Sequence, residues 1–466
     1  MSDVLSQQGR VASLSTPLGQ DKLVLSRFEG SEGLSELFEF RVECLSTDDN
    51  VDFDQVLGLS STVKMTFYAG PDRYFDGITV EAQSLGIRQD LFVYRIVLRP
   101  SLWLTTRTTN CRIWHDTNAL DIIKEVLGDD SVNYRDATTK SYPSLEYCVQ
   151  YRETDFAFVS RLMEQHGIYY FFEHSEGSHT MVLADALSSH KPVQGYATIR
   201  FAPSLAAGHV QEQTLNNWSS ERRFRTGKIE LRDYNFKQPN ANMTADVNGH
   251  ESYNKSQMEF YDYPGKYDNV GDGDTYAQVR LDAEQAIDHR RYAAGIAPNL
   301  FPGALTTVTD HPIDSENQQY LLVRCSHYYV TEAYRSAGAI AIRDDRPYHG
   351  DYEMQPSDRV FRAPIVTPKP TVYGPHTARV VTRPGNDGEE IDVDDDGYGR
   401  IRVHFFWDRD DKRSCWIRVA QMWAGPLWGG QFIPRIGMEV VVDFLEGDPD
   451  RPMIVGAVYN GANGYP

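Results

Sequence analysis

Apolar and polar positions alternate with a period of two over much of this chain, which predicts strands. Val63, Met65 and Phe67 alternate with polar neighbours, Ala69-Gly70-Pro71-Asp72 follows as a turn, and residues 73–82 read as the return arm of a hairpin. Residues 91–98 form another apolar-rich strand. The period then changes. Leu120, Ile123 and Val126 recur at helical spacing, predicting a helix over 117–127 that Gly128 ends. A second helix is predicted over 154–166, with Phe156, Val159 and Met163 on its apolar face, Thr154 as N-cap and Gly167 as stop. Residues 168–172 are again a strand. Strands resume in 195–355, clearest at 231–236 and 320–324, with one helix predicted over 275–291.

The last part of the chain is dense in short alternating runs. Ile401, Val403, Phe405 and Trp407 alternate with Arg402, His404, Phe406 and Asp408, and residues 439–445 and 453–459 give two further strands. Asp396-Gly397, Gly429-Gly430 and Gly447-Asp448-Pro449-Asp450 punctuate them as turns. About five short strands in such a span suggest a small Greek-key barrel of the OB type. Prolines 364, 368, 370 and 375 mark a semi-rigid linker before it. The fold class expected is mainly β with an α/β insert. The expected organisation is a β-barrel region over 1–105, the insert over 106–190, a second β-barrel region over 191–360, the linker over 361–375 and the OB-type barrel over 376–466.

Composition narrows the function. The 466 residues are 41% hydrophobic and carry 46 basic against 66 acidic residues, a net charge of -20. Nucleic-acid and anionic-membrane surfaces need an excess of Lys and Arg, so neither partner is expected. The N-terminus has no basic stretch followed by an apolar run, so no Sec-type signal peptide is expected. The five cysteines are widely spaced and never form a Cys-x-x-Cys pair, which suits reduced thiols.

Candidate chemistry is thin. Asp392, Asp394, Asp396 and Gly397 match the first half of an EF-hand loop, but Val403 stands where a Glu is required and a strand follows, so an acidic surface turn is the better reading. Glu173, His174 and His179 lack the spacing of a helical zinc site and read as polar positions around a turn. Val270-Gly-Asp-Gly-Asp274 has Tyr276 where a dinucleotide loop needs its third Gly. Trp407, Trp416, Trp423 and Trp428 offer a stacking platform for single strands or sugars, against a plainer role in core and interface packing that the acidic balance favours. No catalytic, cofactor-binding or metal-binding residue is nominated, and no cofactor is expected.

Several longer segments carry a resemblance. Residues 37–40 (Leu-Phe-Glu-Phe), 110–113 (Asn-Cys-Arg-Ile), 147–153 (Tyr-Cys-Val-Gln-Tyr-Arg-Glu) and 161–170 (Arg-Leu-Met-Glu-Gln-His-Gly-Ile-Tyr-Tyr) belong to it, as do 231–236 and 261–265. Residues 415–421, 433–437 and 444–452 continue it in the barrel. Over essentially its whole length the chain resembles the VgrG family, the spike proteins of bacterial type VI secretion. The resemblance implies a phage-tail-hub-like pair of tube-related β-barrels followed by an OB-fold spike base. It further implies a homotrimer that caps the Hcp tube ring, contacts baseplate components and effector or adaptor proteins, and leaves the cytoplasm through the secretion system without being an enzyme. Family members continue into a β-helix needle, whereas this sequence ends at Pro466. The resemblance therefore carries neither the seating of a PAAR tip protein, which caps that needle, nor the surface the needle lends to the trimer. Two other readings compete: the hub of a contractile phage or phage-like particle, and an OB-type module that binds nucleic acid or glycan.

Overall fold

The computed structural model describes residues 5–66, 71–203, 213–331, 347–386 and 388–465. The chain divides into two compact units. One comprises Met1–Leu104, Leu127–Ser141 and Glu164–Ile365, and the other Thr105–Val126, Tyr142–Met163 and Val366–Pro466. The segment expected as a separate insert, 106–190, thus contributes to both.

The first unit is built on one 13-stranded sheet. Its first half runs Ala12–Ser15, Ser60–Met65, Arg73–Arg88, Leu91–Arg99, Glu39–Ser46 and Val24–Gly33, every neighbour antiparallel. The Val24–Gly33 strand then pairs with Gln319–Val330, so two β-rich regions far apart in sequence form a continuous sheet. With the two-residue strand Lys191–Pro192 at its edge, the second half continues through Tyr348–Pro356, Arg290–Ile296, Thr214–Glu221, Thr198–Phe201 and Ala304–Thr309. The last of these pairs back onto Gln319–Val330, with Leu305 opposite Leu321, and closes a barrel. Inward residues fill it: Ile199, Leu215, Val308, Tyr320, Leu322, Tyr352 and Met354 are all buried. The first half buries rings instead. Phe38 stacks on Phe40 at 4.5 Å and Phe28 tilts on Phe75 at 4.7 Å. Gly30 is required there, since a Cβ would lie 2.8 Å from the Phe40 ring.

A small sheet of Thr244–Asn248, Lys228–Arg232 and Glu259–Asp262 is covered on one face by the helix Val270–Gln285. Ile229, Leu231, Ala245, Tyr267, Tyr276 and Leu281 make its core. The helix lies N-terminal to the expected 275–291. Asn269 caps it, accepting at its side-chain oxygen from the Asp272 amide at 3.0 Å.

In the second unit, Arg402–Phe405, His376–Val381, Glu439–Phe444 and Pro452–Val458 form an antiparallel sheet in that order. Bridges from Ile417 to Ile401 and from Val419 to Ile454 join its two ends, closing a small barrel. A hairpin of Thr109–Asn118 and Ser144–Thr154 belongs to the same unit. Its Ile113, Tyr147 and Val149 share one core with Val380, Val403, Phe405, Val442 and Ile454. The Val149 amide donates to Asp450 at 2.7 Å, and the Lys412 ammonium to the Ile113 carbonyl at 2.9 Å. Residues 67–70, which hold part of the turn expected at Ala69, and Asp387 lie outside the described residues.

Candidate functional site

The polar groups singled out in the sequence are engaged in structure. Asp392 and Asp394 are buried, not open surface carboxylates. Asp392 accepts from the Arg383 guanidinium at 2.9 Å, and Asp394 from the Arg400 amide at 2.7 Å and its guanidinium at 2.9 Å. Burial raises the proton affinity of Asp394, but the Arg400 side-chain and backbone donors outweigh it and lower its pKa. These acids pin a loop and leave little for a calcium ion.

His174 and His179 flank a turn, at the ends of the two strands that it joins. They face each other across the hairpin of Tyr169–Ser175 and Ser178–Ala184 and are buried. His179 Nδ1 meets Asp76 at 2.8 Å, and Asp76 also accepts from Ser60 and Thr62, each at 2.6 Å. His174 Nε2 lies 3.5 Å from Glu32. Glu32 accepts from Arg73 at 2.6 Å and meets His327 at 3.0 Å, and His327 meets the Tyr348 hydroxyl at 2.6 Å. The network ties strands of both halves of the large sheet to the hairpin. Its buried charged and polar groups bond to one another across strands, so it reads as a structural weld. A second cluster, Glu251, Asp288 and His289, has ligand atoms within 4.8 Å of one another. Arg222 reaches Glu251 at 2.8 Å and Asp288 at 3.1 Å, and Arg359 reaches Glu251 at 3.2 Å. Guanidinium groups already neutralise these carboxylates, which suits an ion-pair network better than a divalent cation.

Of the tryptophans, Trp407 stacks on Phe405 at 5.0 Å against the barrel core. Trp416 lies between Arg383 and Arg402, 5.0 and 4.7 Å from its ring. Trp423 and Trp428 meet edge to face at 5.3 Å on an exposed two-rung hairpin, beside Met422, Leu427 and Phe432, all exposed. The four rings form no common platform. The hairpin is instead an exposed apolar patch of the kind that marks a protein contact.

A further candidate surface is one that no sequence motif announced. Opposite its buried face, the large sheet shows polar residues in register across its strands. One rung runs Gln83, Arg95, Glu43 and Arg27, and the next Glu81, Val97, Arg41, Glu29, Tyr328 and His349. A third runs Glu39, Ser31, Ser326, Asp351, Ala294 and Asn217. Charges alternate in sign. Arg41 pairs with Glu39 at 2.7 Å, Arg88 with Glu43 at 2.8 Å, and Arg27 with Glu29. These ion pairs neutralise much of the charge on the face. Its charges are of mixed sign, so it offers no single-sign field for a phosphate backbone.

The comparisons with known proteins fit a pair of units like these. Residues 31–333 match the family described as phage tail baseplate hub (GPD), and residues 389–459 match the type VI secretion system/phage-baseplate injector OB domain. The chain is 40% identical over 99% of its length to the type VI secretion system spike protein VgrG1b of Pseudomonas aeruginosa, of which the match covers 62%. It is 39% identical over 99% of its length to VgrG1a of the same organism, covering 71% of that protein. It therefore spans roughly two thirds of the length of these relatives. Among solved structures, an E. coli type VI component, c3393, described as similar to the T4 phage tail proteins gp27 and gp5, superimposes with a TM-score of 0.66 at 20% identity, covering 96% of this chain and 99% of that one. The VgrG of a Francisella PdpA–VgrG complex gives 0.62 at 11% identity, covering 98% and 72%. This chain belongs to the VgrG family of type VI secretion spike proteins, within the larger family of phage tail baseplate hubs.

Proposed function

We propose that this chain is the hub and spike base of a type VI secretion system, working as a homotrimer that caps the Hcp tube. The observation that carries the reading is the whole-chain match, near 40% identity, to proteins named as spikes, with a hub match and an injector-OB match in that order. Three chains, each with a two-part sheet, present six β units to a six-fold ring, so a three-fold assembly can seat on the tube by symmetry. In this reading the polar sheet face is a non-adhesive wall and the C-terminal barrel starts the spike. Sheath contraction drives the assembly out of the cell, and no covalent step is asked of it. The Francisella VgrG forms a complex with PdpA; by analogy an effector or adaptor protein is a partner here, alongside baseplate components.

Crosslinking in cells that assemble the system tests the Hcp claim. Crosslinks between Hcp and the hub region, residues 1–360, are expected. Their absence, together with failure to co-purify from extracts, would remove Hcp as the partner.

A further inference from the structure

The small sheet has an unused edge. Its order places Glu259–Asp262 outermost, and among the described residues no strand lies beyond it. The strand runs parallel to Lys228–Arg232, with Ile229 opposite Phe260 and Leu231 opposite Asp262. The Met258 carbonyl accepts from the Gly227 and Lys228 amides at 3.2 Å. This register turns the main chain of Met258, Phe260 and Asp262 inward and leaves that of Glu259 and Tyr261 aimed outward. A free row of donors and acceptors is a template for another strand, and proteins usually blunt it with Lys, Pro or a bulge. Here the strand itself carries none of these.

Its charges are fixed over the sheet and do not guard the edge. Glu259 accepts from Lys228 at 2.5 Å, and Asp262 from Arg280 at 2.8 Å. The remaining side chains are apolar and open to solvent: Met258 is 54% exposed, Phe260 44%, Tyr261 52% and Tyr263 51%. The two faces differ. Phe260 lies on the helix side, under the Arg280 guanidinium at 5.4 Å. Tyr261 lies on the other side, in one rung with Glu230 and Asp246. Residues 225–285 hold eleven acids against seven basic residues.

We propose that the outer edge of Glu259–Asp262 receives an extended segment of a partner protein as a fourth strand, one whose residues alternate between basic and apolar. Main-chain bonds to Glu259 and Tyr261 set its register. Its basic side chains lie on the face of Glu259 and Tyr261, where the Tyr ring and the neighbouring acids favour them, and its apolar ones against Met258 and Phe260. This inference stands apart from the spike reading, because it needs only the edge and its side chains.

The test is a selection of short random peptides on the full chain, followed by binding to the Glu259→Lys/Tyr261→Lys double variant. Both positions are exposed, so the variant should melt with the parent. Enriched peptides that alternate basic and apolar residues, and that bind the variant roughly tenfold more weakly, are expected. Hydrogen exchange gives a second readout independent of the variant: such a peptide should slow the Glu259 and Tyr261 amides. Enrichment without that alternation, equal binding to the variant, or unchanged exchange at these amides would overturn the proposal. So would a fall in the native mass of the variant, which would assign the edge to another copy of this chain.

Discussion

At the scale of single residues, burial decides which charges matter. Glu32 and Arg73 are both buried, at 3% and 6% exposure. Burial alone would push the Glu32 carboxyl up, but the Arg73 charge and contacts from His174 and His327 overcome it and hold the carboxyl well below its usual range. Glu32→Gln strands the Arg73 guanidinium and should cost about 3–5 kcal/mol of stability, read as a lowered denaturation midpoint. Arg41→Ala on the exposed polar face removes a screened pair and should change stability by less than about 1 kcal/mol. Burial also drives the His166 imidazole down to about 4 from 6.5. A base with a depressed folded pKa takes up its proton more readily when unfolded. Its effect is therefore nil above about pH 6.5 and grows as pH falls toward 4, reaching roughly 3 kcal/mol of lost stability. Thermal melts between pH 7 and pH 4 should steepen over that window, and His166→Gln should flatten the dependence. None of this was legible in the sequence. Glu173, His174 and His179 could be seen to lie close together, but the partners Glu32, Asp76 and His327 come from remote strands.

At the scale of elements, local signals worked where the local chain makes the decision. The helix Asp155–His166 was legible because Thr154 caps it, its hydroxyl accepting from the Ala157 amide at 3.1 Å, and because its apolar spacing is regular. Val270–Gln285 was displaced because Gly271 and Gly273 read as loop residues. The second of these is explained by packing, since a Cβ on Gly273 would lie 2.7 Å from the Tyr267 ring. The cap makes a prediction. Asn269→Ala should cost about 1 kcal/mol and speed hydrogen exchange in the first turn of the helix, and Asn269→Asp should restore both. In the small barrel, the strand runs at 439–445 and 453–459 lie within a residue of Glu439–Phe444 and Pro452–Val458. The segment around Ile417 and Val419 was not read as a strand, and it joins the barrel by single bridges.

At the scale of the whole molecule, long-range pairing is what the sequence concealed. Alternation announces strands but not which strand each one meets. The antiparallel pairing of Val24–Gly33 with Gln319–Val330 spans some three hundred residues, and the Thr109–Asn118 hairpin shares a core with strands near residue 440. The hairpin supplies Ile113, Tyr147 and Val149 to that core, and burying each such side chain contributes about 1.5–3 kcal/mol. Their sum rivals the net stability of an ordinary domain. Residues 366–466 produced alone should therefore melt without a sharp transition and bind a hydrophobic dye, and the same segment inside the full chain should do neither. The central claim concerns assembly: the proposed hub, with two β units per chain, matches a six-fold tube ring as a trimer. Light scattering of the purified full chain across a concentration series measures this directly. The account predicts a native mass of three times 53.0 kDa, and a mass of 53.0 kDa at every concentration would contradict it.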